Sequence, residues 1–290
     1  MTRALLVLLW LLHWLPLPLL AALGRGLGRL LWLLGHARRR IALRNLELCL
    51  PELDEAARRA LARDHFEWLG RSLLERSLLW YAPLSRLSRL IHIEGPVDLA
   101  DRHSGPLMWL VPHFLALDVA PVALHLRTRG VGCTIYQTQS NPVLDAAMRR
   151  ARLRFGRVEL YSRRDGAKPL IRAIKAGRNF FNLPDMDFGR KDAAFVPFFG
   201  VPAATLLAPS RMARALGMTV QPVVAEMLPG GRGYRVRFFE PWTDWPSDDA
   251  QADALRMNQW IEARIRENPA QYLWVHKRFK TRPPGEPKLY

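Results

Sequence analysis

The chain has 290 residues, 49% hydrophobic and 24% charged, which argues against extended disorder and allows one sizeable core or at most two small ones. Its formal net charge of +17 calls for an anionic partner: nucleic acid, an anionic membrane face or a phosphorylated substrate. Two cysteines, Cys49 and Cys133, lie far apart without CxxC or zinc spacing, which fits a reducing compartment.

Residues 1–40 read as a membrane anchor followed by a basic interfacial segment. Ala4 to Leu23 carries no formal charge and is rich in Leu and Trp. A helix of about twenty residues spans about 30 Å, the thickness of the hydrocarbon layer. Arg3 flanks the run on one side, and Arg25, Arg29, Arg38, Arg39, Arg40 and Arg44 follow it. That bias leaves the remainder of the chain in the cytoplasm. Pro16, Pro18 and the apolar stripe Leu27 to Leu34, broken by Arg29, keep an anchor lying in the interface open beside the spanning one. A cleaved signal peptide fits less well, because the charge follows the apolar run.

Residues 41–290 read as the second domain. Ile41 to Leu50 is a short amphipathic segment ended by Pro51. Asp54 is the expected cap of a long helix from Glu55 to Tyr81. Leu107 to Val111 is an apolar strand, and Leu115 to Leu126 is helical. Strands are expected at Gly132 to Tyr136, Val158 to Tyr161, Asn179 to Leu183, Thr219 to Met227 and Tyr234 to Phe239. Helices are expected from Asn141 to Phe155, Lys168 to Ala176, Thr205 to Leu216 and Asp249 to Glu267. This alternation predicts an α/β fold, a single central mixed sheet flanked by helices, with the N-terminal anchor helix outside it.

His113 follows the first apolar strand, with Asp118 five positions on, both in apolar surroundings. A carboxylate there needs a partner, and His113 is the nearest one in sequence. A His–Asp pair is a general base with its orienting group. The pairing requires His113 in the turn and Asp118 folded back from the first turns of the helix. Arg152, Arg154 and Arg164 are candidates for binding phosphate or carboxylate, which suit the guanidinium fork. Asp185 and Asp187 sit in a Pro-Asp-x-Asp-x-Gly turn after an apolar strand. They serve the turn itself or a site, for instance by orienting an arginine or a bound substrate; a magnesium site is the alternative, since two carboxylates can hold that ion. Val196 to Gly200 reads as core or channel lining. The tail from Gln271, with Tyr272, Trp274, His276 and Arg278, reads as a membrane-interface or headgroup segment, with His276 structural.

Several ordered blocks resemble the bacterial lipid A biosynthesis acyltransferases, the lauroyl and myristoyl transferases within the lysophospholipid acyltransferase superfamily. The blocks are the anchor, His113-Phe-Leu-Ala-Leu-Asp118, Asn141-Pro142-Val-Leu-Asp145, Ser162 to Asp165, Leu183 to Gly189, Phe195 to Gly200 and Gln271 to Pro283. The resemblance implies a glycerolipid acyltransferase-like fold at the bacterial inner membrane, facing the cytoplasm. It implies transfer of a fatty acyl chain from acyl carrier protein to a hydroxyl of a phosphorylated glycolipid, a lipid A precursor of the Kdo-lipid IVA type. His113 is then the base and Asp118 its orienting acid. Arg152 and Arg164 are the favoured substrate arginines, with Asp185 and Asp187 beside them. No cofactor or metal is implied beyond acyl carrier protein as co-substrate, and inner-membrane lipids are the other partner. Another polar lipid, such as an ornithine lipid or a lysophospholipid, is the alternative acceptor. A membrane-tethered nucleic-acid binder lacks a recognisable motif, so no nucleic acid is expected.

Overall fold

A computed structural model describes residues 2–103 and 105–290. The apolar N-terminal run is not one helix. It breaks at His13–Pro16 into α1 (Thr2–Leu12) and α2 (Leu17–Leu34), because proline cannot donate to the preceding turn. Helix α2 is long and apolar enough to cross a membrane. Next come α3 (His36–Cys49) and α4 (Glu55–Tyr81), whose first turn is capped by Asp54 accepting from the Ala57 N–H at 2.7 Å.

Glycine decides how α2 meets α4. Gly24 and Gly28 on α2 face Gly70 on α4, and any side chain at Gly28 would collide with the Phe66 carbonyl. The two backbones therefore touch directly. Leu17 and Leu20 of α2 are buried in the same cluster as Val223 and Tyr234.

The chain continues through α5 (Leu84–Leu90), β1 (Ile91–Glu94), α6 (Leu99–Arg102) and β2 (Leu107–Leu110). A 3-10 turn, Leu117–Val119, leads into α7 (Ala120–Arg127), followed by β3 (Gly132–Tyr136) and α8 (Pro142–Leu153). Asn141 caps α8 by accepting from the N–H groups of Val143 and Leu144. Then follow β4 (Val158–Ser162), α9 (Lys168–Lys175) and β5 (Asn179–Asn182). The remainder comprises β6 (Ala193–Phe198), β7 (Val201–Leu206), α10 (Ala208–Leu216), β8 (Thr219–Met227), β9 (Tyr234–Phe238) and α11 (Ala250–Glu267).

Seven strands form one sheet in the order β1-β9-β8-β2-β5-β3-β4. All neighbours are parallel except β8 and β9, so the sheet is mixed. Helices flank it, as the alternation of elements predicts. Strand β1 and the β6–β7 hairpin go beyond the sequence reading. The hairpin closes on Phe199 and Gly200, both at positive φ, the geometry of a tight two-residue turn. Its β7 occupies the start of the helix expected at Thr205, which begins only at Ala208.

Candidate active site

Strands β2 and β5 are parallel neighbours, so the loops leaving their carboxyl ends lie side by side. The pairing extends one step past β2, where the Val111 N–H donates to the Asn182 carbonyl at 2.9 Å. His113 lies in one loop and Asp185 in the other, where ligands gather in α/β sheets. The His113 ring Nδ1 is 2.6 Å from Asp185 Oδ1, and the His113 backbone N–H donates to Asp185 Oδ2 at 2.9 Å. One carboxylate thus holds both the ring and the backbone of one histidine. The Asp185 side chain is fully buried, while the His113 side chain retains 14% exposure. Burial alone raises the Asp185 carboxyl. The charge and hydrogen bonds of His113, with Arg278 nearby, outweigh it and hold the group below its ordinary range.

This corrects the expected pairing of His113 with Asp118. Asp118 belongs to the 3-10 turn, and its side chain faces α4 and α8 rather than the imidazole. Its oxygens lie 3.9 Å from Arg76 Nε and 3.7 Å from Arg152 Nη2, too long for hydrogen bonds but close enough for ion pairing. The same geometry moves Asp185 from a substrate contact to the histidine's partner. Proximity in sequence suggested Asp118; the sheet register supplies Asp185 instead.

The expected arginines separate. Arg152 is half-buried and lines a cavity together with Arg76 and Asp118. Arg164 is exposed in the turn after β4, where its backbone N–H donates to the Ser162 hydroxyl at 3.2 Å, and it does not line that cavity. Arg154 braces the C-terminal end of α4, donating to the Leu79 carbonyl at 2.9 Å and to the Ala82 carbonyl at 2.5 Å. It has a structural role there.

Asp187 clamps its own turn to the tail. It accepts from the Gly189 N–H at 3.0 Å, the Thr281 N–H at 2.6 Å and the Thr281 hydroxyl at 2.8 Å. Its backbone N–H donates to His276 Nε2 at 3.1 Å. Burial depresses His276 to about 4, with His113 adding to the effect, so the ring is neutral and able to accept. The oxygens of Asp185 and Asp187 are thus already committed to protein donors. Among the described residues, no group of three or more His, Cys, Asp or Glu side chains is arranged to hold a metal.

The tail is core rather than membrane interface. Trp274, Arg278 and Phe279 are buried, and Asn45 donates to the Trp274 and His276 carbonyls at 2.7 Å each. It also fixes the histidine loop, since the Leu115 N–H donates to Gln271 O and the Leu273 N–H to His113 O. Arg278 donates to the Ala204 carbonyl at 2.8 Å and to the Thr205 hydroxyl at 2.9 Å. The Tyr272 phenol is pushed well above its ordinary range by burial and the nearby Asp185 carboxylate. Sequence gave no sign that Tyr272 and Arg278 surround Asp185, because about ninety residues of chain separate the tail from that turn.

A cavity of about 130 Å³ lies along one face of the sheet. Its wall follows the period-2 alternation of strands: Trp109, Thr134, Leu160 and Phe181 are linked by register across β2, β5, β3 and β4. Gly132 and Val158 continue the wall toward the amino ends of β3 and β4, and α4, α7 and α8 supply its cover. The lining is mainly apolar, with Arg76, Asp118 and Arg152 as a charged group on it.

A hydrogen-bonded His–carboxylate pair at the carboxyl ends of parallel strands, in a sheet that also carries an apolar cavity lined in part by Arg76 and Arg152, is the layout of an α/β enzyme. The comparisons agree. The family description for the bacterial lipid A biosynthesis acyltransferases matches residues 1–281, and the chain belongs to that family. It is 35% identical over 285 residues to the lipid A biosynthesis lauroyltransferase of Escherichia coli K12, covering 97% of this chain and 92% of that protein. It is 32% identical to the lipid A biosynthesis palmitoleoyltransferase of the same strain over the same shares. Against that strain's lipid A biosynthesis myristoyltransferase it is 33% identical over 277 residues, covering 94% of this chain and 83% of the relative. The protein is an acyltransferase enzyme of lipid A biosynthesis.

Proposed function

We propose that the protein transfers a fatty acyl chain from the thioester of acyl carrier protein to a hydroxyl of a lipid A precursor of the Kdo-lipid IVA type. It does so at the cytoplasmic side of the bacterial inner membrane. The observation that carries the chemistry is the His113–Asp185 pair. An ionised carboxylate only accepts, so it keeps the ring proton on Nδ1 and leaves Nε2 basic. Nε2 takes the proton of the acceptor hydroxyl as its oxygen attacks the thioester carbon. The tetrahedral intermediate then collapses, the C–S bond breaks, and the protonated imidazole returns the proton to the departing thiolate. Asp185 stabilises the imidazolium between the two steps. No acyl-enzyme, metal or cofactor enters the scheme.

The apolar cavity is the proposed seat of the acyl chain. The names of the relatives cover lauroyl, palmitoleoyl and myristoyl transfer, so family membership alone leaves the chain length open. The N–H groups of His113, Phe114 and Leu115 already donate to Asp185, Pro112 O and Gln271 O. Those N–H groups are committed, and Arg152, on the cavity lining, is the proposed contact for a phosphate or carboxylate of the substrate. Asp118, between Arg76 and Arg152, ion-pairs with both and keeps the two guanidinium groups at the cavity. Net charge of +17 suits both an acidic carrier protein and a phosphorylated acceptor.

Mass spectrometry of lipid A from cells with and without the gene tests this reading. Loss of one acyl chain supports it and gives the chain's length. Unchanged lipid A, with an acyl chain missing from another polar lipid, would replace the acceptor while keeping the chemistry.

A further inference from the structure

The geometry points to an anchor that lies within one leaflet of an anionic membrane, with both α1 and α2 in the interface and the N-terminus on the same side as the rest of the chain. This goes beyond the proposed reaction and does not depend on the donor or the acceptor.

The first observation is how α2 is held. Its Gly24 and Gly28 contact the α4 backbone at Gly70, Arg71 and Phe66 with no room for a side chain. Leu20 is fully buried and Leu17 nearly so, and Gly231 packs on the backbone of Leu17 and Pro18. Arg29 pairs with Glu67 of α4 at 2.7 Å, and the Arg63 guanidinium of α4 lies over the Trp32 ring at 5.7 Å. Helix α4 carries Arg63, Asp64 and Glu67 along the stretch beside α2. If α2 crossed the bilayer in this packing, those charges would enter hydrocarbon with it, and charged side chains there are costly. Crossing without α4 would strip Leu17 and Leu20 out of the core.

The second observation concerns α1. Eleven residues reach only about 16 Å, half of the hydrocarbon thickness. Both of its ends are tied to the domain. Thr2 Oγ1 accepts from Asn141 Nδ2, the cap of α8, at 2.9 Å. At the other end, Arg86 donates to the carbonyls of His13 and Leu15. Helix α1 packs on α4 and α8, which carry Arg76 and Arg152.

The third observation identifies the occupant. The outward faces of both helices and the link between them are apolar, with Trp10, Trp14, Leu19, Leu30, Leu33 and Leu34 exposed; Trp14 is 68% and Leu34 67% accessible. Arg3, Arg25, Arg29, Arg38 and Arg40 are exposed along the same stretch, and no Asp or Glu occurs before Glu47. An apolar face with interfacial tryptophans and only cationic neighbours complements an anionic leaflet.

The test uses the full chain in native membranes. Cys49 and Cys133 are buried and stay silent, so Arg3→Cys and Lys288→Cys can be introduced singly and treated with a membrane-impermeant maleimide. Intact spheroplasts and inverted membrane vesicles are compared. Labelling of both sites from the same face is expected; labelling from opposite faces overturns the proposal. If both label only from the outside, the in-plane anchor stands and the cytoplasmic placement fails. A second measurement uses vesicles of phosphatidylglycerol and phosphatidylethanolamine. Wild-type protein should co-sediment with them, and Trp14→Glu combined with Leu33→Glu should weaken partitioning at least tenfold. Undiminished binding by that variant, or no binding by wild type, overturns the proposal.

Discussion

Asp185 holds His113 by two hydrogen bonds, one to the ring and one to the backbone, across the carboxyl ends of adjacent parallel strands. The ring cannot turn without breaking the first bond, and its loop cannot shift without breaking the second.

His113→Ala should lower the turnover of acyl transfer by about 10²–10⁴-fold, the usual worth of a positioned general base. Losing the ring also leaves the buried Asp185 carboxylate short of a partner, so the melting temperature should fall as well, and turnover is read well below it. Single-turnover assays with a melting curve separate the two effects. Near-normal turnover would remove His113 as the base.

Asp185→Asn and Asp118→Asn should differ in kind. An amide has one acceptor oxygen where two donors now point, so Asp185→Asn turns the ring to the wrong tautomer. Turnover should fall about 10²–10⁴-fold with KM little changed. Asp118→Asn frees Arg76 and Arg152 and should act mainly on KM, by less than about tenfold, since loosely paired, partly exposed charges contribute about 0–1 kcal/mol. The reverse pattern in steady-state kinetics would restore Asp118 as the partner of the base.

Gly132→Leu should shorten the preferred acyl chain. Gly132 lines the cavity, and a Cβ there meets its nearest neighbour, the Trp109 ring, at an ordinary 3.6 Å, so the added side chain is accommodated by filling space. A competition assay with acyl carrier protein thioesters of graded length reads the shift. An unchanged preference would place the acyl chain elsewhere.

Gly28→Val should destabilise the whole protein, by at least about 3 kcal/mol, because the collision is with backbone rather than with a flexible side chain. Leu34→Ser, on the exposed outer face, should alter stability by no more than about 0.5 kcal/mol. Urea midpoints in detergent measure both. A tolerated Gly28→Val would mean that α2 can leave α4.

Lowering the pH from 7 to 5 should destabilise the fold through His65 and His276. Burial depresses each from the ordinary 6.5 of a free imidazole to about 4. The unfolded chain therefore binds protons first, so their stabilising contribution is complete above about pH 6.5 and is lost as pH falls toward 4. Each histidine should cost roughly 1–2 kcal/mol over that drop. His276→Gln keeps an acceptor for the Asp187 N–H and should flatten the dependence of urea midpoints on pH. A slope equal to wild type would show that His276 does not titrate in this window.

Much of the fold was legible in the chain. Period and punctuation located β3 and β8 at their observed bounds, as well as α4, with Asp54 and Asn141 as caps, because these features are local. The hairpin of β6 and β7 was not, since Val196 to Gly200 contains one proline and two aromatics that serve equally in core or strand. The tail misled for a related reason. Aromatics mixed with cations suit a membrane surface, yet here Arg278 is buried on the Ala204 carbonyl and the Thr205 hydroxyl.

Local pattern was enough to give the alternation of strands and helices, the basic and apolar character of the N-terminus and the histidine at a strand end. Each depends on residues within a turn or two of one another. Only the tertiary structure decided which acid serves that histidine. Asp118 is five residues away but turned toward α4 and α8, whereas Asp185 is seventy-two residues away and arrives in the loop leaving the neighbouring parallel strand. Hydrogen-bonding reach is measured through space, and strand order sets it.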